Sequence, residues 1–229
     1  MNISNNWEKI HSDREWGKYP NEELIRFIGK YFFKIEFEKR NKIKILELGV
    51  GQGANVWFLV REGFDVYGVD ISNSAIEKMK NRLKKENMYT PNMTKKFVPI
   101  NILNMDFPKD YFDVVIDVAS MQYLSYTNNN IIFEKTNQLL KKNGYFFVWH
   151  LLKDSWGYDP NNCIDKDTVK NVTEGPAMNQ GNIYYATMND LCSMLNKNNF
   201  KIIEKEILKR TYQNEKEQMS YSILIAQKR

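Results

Sequence analysis

At 229 residues, with 42% hydrophobic residues and a formal net charge of +5, the chain is long enough to bury one substantial core. Its two cysteines, Cys163 and Cys192, lie far apart in unlike contexts, which excludes a disulfide framework and a metal set and points to a reducing cytoplasm. No stretch reaches transmembrane length, and the polar start Met1–Asn6 lacks the apolar core of a signal peptide, so neither membrane nor secretion is expected.

Residues 1–43 are read as an N-terminal extension with one helix, Asn21–Phe33, introduced by Pro20 and the acidic pair Glu22 and Glu23. An apolar strand beginning at Lys44 runs into a glycine-rich turn, followed by a helix at Ala54–Glu62 and a strand at Asp65–Asp70. The helix Ser74–Lys85 opens with Ser74 and Glu77 at capping-box spacing. Strands follow at Phe97–Ile102 and at Phe112–Ala119, the latter nearly all apolar apart from two aspartates, as a buried parallel strand requires. The helix Ile131–Lys142 stops at Asn143-Gly144, and a strand spans Tyr145–Leu151. Residues 152–186 form a long irregular segment rich in Gly, Asn and Asp, the usual composition of a lid or binding loop. A helix at Met188–Lys197 leads to a strand at Lys201–Leu208, a polar loop at Arg210–Gln218 and a last strand at Met219–Gln227. That loop is too short for a crossover helix, so the final two strands pair antiparallel. The pattern predicts a single α/β domain over residues 1–229, with the first 43 residues as a helical cap and 152–186 as an insertion.

The segment Glu47-Leu48-Gly49-Val50-Gly51-Gln52-Gly53 carries the chemistry. Glycine at every second position lets the backbone turn tightly and lets a ligand lie against it without a Cβ in the way, while the following helix points free N–H groups at that ligand. Asp70 closes the next strand seventeen residues after Gly53, where a carboxylate can hold ribose hydroxyls. Read as G-x-G-x-x-A the turn fits a dinucleotide site. Read as E-x-G-x-G-x-G it resembles the first motif of class I S-adenosylmethionine (SAM) methyltransferases. The reversed strand near the edge of a mostly parallel sheet favours SAM over NAD.

Further matches extend the resemblance through nearly the whole chain. Residues Trp16–Phe27, Glu47–Gly53, Ile116–Gln122, Leu140–Gly144 and Thr173–Pro176 resemble a bacterial subfamily of small class I methyltransferases that look like methylators of small molecules or surface-glycan precursors. The resemblance implies a Rossmann-like seven-stranded sheet with helices on both faces, with SAM as cofactor and S-adenosylhomocysteine as product. It implies that Glu47 holds the turn and contacts the methionine amine, that Gly49, Gly51 and Gly53 admit the cofactor backbone, and that Asp70 binds the ribose. Ile71 would pack on adenine, with Asn101 on the adenine amine and Ile102 beside it. Asp117 would face the methionine amine, its alternative being a carboxylate that orients the following loop. Trp16 and Tyr19 would cover the sulfonium, which favours aromatic faces; simple helix packing is their other reading. The chain departs from the family at Asn101, where an acid is usual, and at Tyr123, where a histidine often follows the glutamine.

A sulfonium donor needs mainly alignment, so no catalytic dyad is required. His150, at the end of the fifth strand, is the first candidate base, with a packed backbone-bonded histidine as its alternative. Tyr123 and Gln122 are next, as groups that orient an acceptor. His11 is assigned to the surface, while Tyr184 and Tyr185 line the acceptor side or pack a strand edge. Basic clusters at Lys78, Lys80, Arg82, Lys84 and Lys85, and at Lys95 and Lys96, are read as solvated faces. No nucleic-acid partner is expected, and no Asn-Pro-Pro-aromatic tetrapeptide or Pro-Cys pair marks a base-modifying site. The reading is a small-molecule methyltransferase, monomer or homodimer, with a sugar or capsule precursor favoured as acceptor. The alternatives are an RNA or protein methyltransferase, a SAM-binding module without catalysis, and an NAD-dependent reductase.

Overall fold

The computed structural model describes residues 3–229. Seven strands, β1 (Lys44–Leu48), β2 (Asp65–Asp70), β3 (Phe97–Pro99), β4 (Phe112–Val118), β5 (Leu140–Leu151), β9 (Phe200–Tyr212) and β10 (Glu217–Lys228), form one sheet in the order β3-β2-β1-β4-β5-β10-β9. The sheet is mostly parallel, and β10 is the reversed strand, antiparallel to both β5 and β9. The expected class I architecture is therefore present. The chain divides into two compact units, one ending at Ile116 and the other spanning Asp117–Arg229.

In the first unit, β2 pairs in parallel with β1 and β3 and is packed by α3 (Ala54–Arg61) and α4 (Asn73–Lys85). The expected helix after Pro20 is α2 (Glu22–Phe32), capped by Asn21, whose side chain accepts from Leu24 N. Its Leu24, Phe27, Ile28 and Phe32 recur at helical spacing and are buried. Three features differ from expectation. A further helix, α1 (Ile3–Asp13), precedes α2. The helix after Asp70 is capped by Ser72, which accepts from Ala75 N, rather than by Ser74 and Glu77, because it begins at Asn73 and Ser74 lies inside its first turn; Glu8 of α1 accepts from the Ser72 and Ser74 hydroxyls. Strand β3 ends at Pro99, since a proline offers no N–H to continue the ladder, and Asn101 instead caps a short 3₁₀ turn, Ile102–Asn104.

In the second unit, α5 (Tyr126–Leu139) starts five residues earlier than expected, capped by Ser125, and β5 begins at once at Leu140. Asn143 adopts φ +63° inside β5 and ends no helix. The supposed loop Arg210–Gln218 contracts to a tight turn, because β9 and β10 zip from Phe200/Lys228 up to Tyr212/Glu217. Lysines at 201, 205 and 209 and Arg210 lie on β9, the edge strand, where charge discourages pairing with another sheet. The helix α6 (Met188–Lys197) packs on β9. The segment 152–186 is not irregular: it contains an antiparallel three-stranded sheet of β6 (Cys163–Asp165), β7 (Thr168–Val169) and β8 (Ile183–Tyr184).

Candidate functional site

The glycine turn of the first unit is built on β2. The N–H groups of Gly49 and Val50 both donate to Val69 O, at 2.8 and 3.0 Å, and Gly53 N donates to Val50 O. Gly49, Gly51 and Gly53 all have positive φ. At Gly53 the reason for glycine is internal packing: a Cβ there would lie 2.1 Å from Met79 Cγ of α4, and the residue sits at φ +81°. Around Gly51 the space is open but for the His11 ring. Helix α3 starts at Gly53 with no side-chain cap, whereas α2, α4, α5 and α6 are capped by Asn21, Ser72, Ser125 and Thr187. Its first N–H groups are thus left for a ligand.

Asp70 is buried, and both carboxylate oxygens are engaged. One accepts from Gly51 N at 2.8 Å and the other from Ser72 N at 2.9 Å. Burial pushes its pKa up, against the opposing pull of these backbone bonds and of His11. Each oxygen keeps a second lone pair for a further donor. Glu47, also buried, accepts from Asn55 Nδ2 at 2.7 Å, and Asn55 in turn accepts from Asn21 N, tying the turn to the start of α2. Ile71 is half-buried and Ile102 buried. Asn101 Oδ1 accepts from Leu103 N at 2.9 Å, capping the short turn after β3.

The N-terminal extension overturns one assignment and modifies two. His11 is not on the surface: it is 4% exposed, stacked on Trp7 at 5.5 Å and 5.7 Å from the Trp16 ring, and its Cε1 is the nearest atom to where a Gly51 Cβ would point. Burial lowers its pKa, against the attraction of Asp70 and Glu8 and with the help of Lys78. Gln52 from the turn fastens the segment, accepting from Trp16 N at 2.9 Å and donating to Arg14 O at 2.7 Å. Lys78 and Arg82, expected to be solvated, also hold this segment: Lys78 donates to Arg14 O and pairs with Glu15, and Arg82 donates to Lys18 O. Trp16 therefore joins an aromatic group at the turn, but Tyr19 is 85% exposed and covers nothing there. A tryptophan and a histidine four residues apart, Trp7 and His11, were the available sequence signal for α1.

In the second unit Asp117 is fully buried and acts as the loop-orienting carboxylate of the two readings. Its Oδ1 accepts from Ser120 N and Met121 N, at 3.1 and 2.8 Å, while Oδ2 has no hydrogen-bond partner, and burial raises its pKa to about 7. His150 does not reach a crevice. It is 0% exposed, edge-on to Tyr184 at 5.5 Å, its Nδ1 is 2.9 Å from Leu151 O, and its Nε2 has no partner. Burial lowers its pKa to about 4, so it is neutral at pH 7 but sealed from any acceptor. Tyr123 donates its hydroxyl to Gln180 Oε1, and burial pushes its pKa up to about 12. Gln122 and Tyr185 are buried with unpartnered Oε1 and Oη atoms, and Tyr184 packs beside Tyr126. A cavity of about 410 Å³ beside β2 and β3, lined by Tyr67, Met105, Phe107 and Tyr111 among others, contains none of the expected site residues.

Comparison with known proteins adds to this geometry. Residues 45–144 match the methyltransferase domain model. The chain is 25% identical over 114 residues to phosphoethanolamine N-methyltransferase of Plasmodium falciparum, covering 49% of this chain and 41% of that protein. It is 30% identical over 145 residues to ubiquinone biosynthesis O-methyltransferase of Pelagibacter ubique, covering 62% and 54%. The chain thus spans about half the length of the curated relatives it matches. A solved SAM-dependent methyltransferase from Methanosarcina mazei shares the fold, with a TM-score of 0.60 and 17% identity over 81% of this chain and 92% of that one. The matched methyltransferase domain contains the glycine turn, Asp70, Asn101, Asp117, Gln122 and Tyr123, whereas Trp16, Tyr19, His11 and His150 lie outside it. Among the described residues no group of three or more His, Cys, Asp or Glu is placed to hold a metal ion, and no helix is long and apolar enough to cross a membrane.

Proposed function

We propose that the chain transfers the methyl group of SAM to a small-molecule acceptor. The observation that carries this is the glycine turn of the matched domain, whose Gly51 N–H is clamped by Asp70 beside the one uncapped N-terminus among α2–α6. The turn fits an adenosine cofactor: Gly51 leaves an open backbone face, and Asp70 retains lone pairs for ribose hydroxyls. Glu47 holds the turn through Asn55, Ile71 and Ile102 offer apolar contact for adenine, and the His11 ring, beside Trp16, borders the open face at Gly51. When bound, SAM supplies a methyl already activated by the sulfonium.

Alignment alone can lower the barrier by roughly 7–11 kcal/mol. The residues of the turn would hold SAM so that its activated methyl faces an acceptor lone pair, and the chain's contribution would be that alignment. His150, sealed by packing, has no part in that transfer as proposed here. The similar proteins are named for an amine and an oxygen acceptor, and neither name mentions a sugar or capsule precursor, so that finer expectation rests on sequence resemblance alone. An RNA acceptor is disfavoured because Lys78 and Arg82 are spent on the N-terminal segment.

Calorimetry with S-adenosylhomocysteine tests the reading. Wild type is expected to bind and NADH not to bind. Asp70→Asn is expected to lose roughly 10–100-fold in affinity, the equivalent of one charge-assisted bond. Unchanged affinity, or binding of NADH instead, would remove the nucleotide from this turn.

A further inference from the structure

One titratable group of the first unit stands beside the glycine turn with little to bond. His11 is 4% exposed, and its ring lies 5.5 Å from Trp7 and 5.7 Å from Trp16, which are themselves 6.3 Å apart. Its Cε1 is 3.7 Å from where a Gly51 Cβ would be, and the Gly51 N–H is the group that Asp70 holds. The ring nitrogens are poorly served. Gln52 Nε2 comes no nearer to Nδ1 than 3.5 Å, because that amide makes its short bond, 2.7 Å, to Arg14 O. Among the described residues no hydrogen bond reaches Nε2. Buried polar groups are nearly always bonded, so an imidazole left this way next to a ligand-binding turn calls for a partner from outside the fold.

The charges facing His11 come from three elements. Asp70 at the end of β2 and Glu8 of α1 favour the imidazolium, Lys78 of α4 opposes it, and burial outweighs the attraction, so the ring is held below its ordinary pKa. Glu8 is occupied by the Ser72 and Ser74 hydroxyls. Lys78 is occupied by Glu15 and by the carbonyls of Ser12 and Arg14. Asp70 is the group left to work with His11, since each of its oxygens accepts one backbone N–H and keeps a lone pair. A carboxylate and a neutral imidazole beside the same glycine suit a vicinal diol. The carboxylate accepts from the hydroxyls, and the imidazole bonds one of the same oxygens.

We propose that His11 is a cofactor contact, hydrogen-bonding through a ring nitrogen to the ribose that Asp70 holds. The proposal rests on the methyltransferase reading above and adds a residue from outside the matched domain. It also sets a pH dependence. A ribose on Asp70 takes the lone pairs that steady an imidazolium, and a bound nucleoside shields the ring from water, so binding drives His11 further toward its neutral form. By linkage, affinity is full where His11 is neutral and falls as pH drops through its titration. SAM carries one positive charge more than S-adenosylhomocysteine and therefore loses more.

The chain has two histidines, His11 and the sealed His150, so imidazole proton resonances are easily followed in the full chain. Titrated from about pH 8 to about pH 5, His11 is expected to show a lower pKa with saturating S-adenosylhomocysteine than without it. Calorimetry gives a second readout. His11→Phe, which keeps a ring against Trp7 and Trp16, is expected to weaken S-adenosylhomocysteine about 3–10-fold at neutral pH. His11→Gln, which keeps a hydrogen-bonding nitrogen, is expected to recover most of that affinity. In wild type the ratio of SAM to S-adenosylhomocysteine dissociation constants is expected to rise toward pH 5, and in both variants to stay flat. A His11 pKa that the cofactor leaves unchanged or raises would overturn the proposal, and this arm needs no variant to fold. His11→Phe affinity within twofold of wild type, with the same pH profile, would overturn it equally. Absence of S-adenosylhomocysteine binding in wild type would instead overturn the methyltransferase reading beneath it.

Discussion

The glycine turn at 49–53 and the segment 152–186 both connect regular elements, yet they are held in different ways. The turn is fixed mainly by the strand that follows it and by the helix after that: two N–H groups on Val69 O, one on Val50 O, Asp70 reaching back to Gly51, and Met79 of α4 against Gly53. The segment is fixed by partners from distant parts of the chain. Trp156 N donates to Gln218 O, Ser155 Oγ to Ser220 O, and Thr127 of α5 donates to Asp165. Gly157 and Gly175 let two of its strands of backbone touch, since a Cβ at either would lie 2.7–2.8 Å from a carbonyl oxygen of the other stretch. Short-range holding leaves a signature in the sequence. Long-range holding leaves mostly composition.

The sharpest way to break this contrast is at Gly53. Gly53→Ala forces a Cβ into Met79 and an alanine into the left-handed region, which is expected to cost about 3 kcal/mol or more in thermal unfolding. A loss under 1 kcal/mol would show that the turn is not fixed by α4. His150 supplies the next largest effect, from the second unit. Its folded pKa is lowered from the usual 6.5 to about 4, so its contribution is intact above pH 6.5 and is lost as pH falls toward 4, by about 3 kcal/mol. Asp117, raised to about 7, runs the other way, losing its contribution as pH rises from 3.8 toward 7. The difference between wild type and His150→Phe isolates the histidine: denaturant midpoints should converge as pH drops from 7 to 4. Parallel pH profiles would mean that the imidazole is accessible after all. The smallest effect belongs to Tyr19→Ala, expected to change stability by under about 0.5 kcal/mol and S-adenosylhomocysteine affinity by less than twofold. A tenfold loss of affinity would restore the aromatic cover expected from the sequence.

The same distinction explains how much was legible. The sheet, the reversed β10 and the glycine turn with Asp70 follow from period, turn chemistry and spacing, and all are present. The sequence points to Ser74 as the cap of α4, but the helix starts one residue before it and Ser72 caps it, while Ser74 donates to Glu8, more than sixty residues away. His11 was placed on the surface because α1 has a weak apolar pattern, and only the tertiary contact with Gly51 and Asp70 gives the ring its place. His150 was promoted as a base from its place at a strand end, but position along a strand does not say whether neighbours such as Tyr184 seal the side chain. Residues 152–186 read as disorderly because three strands of two or three residues carry no periodicity.

The most direct test of the central claim is transfer itself. Methyl-labelled SAM would be incubated with the protein and a cell extract separated into small-molecule, glycan, protein and nucleic-acid pools, with Asp70→Ala as control. The account predicts label in the small-molecule pool that the control lacks. Label confined to protein or nucleic acid, or equal labelling by the control, would contradict it.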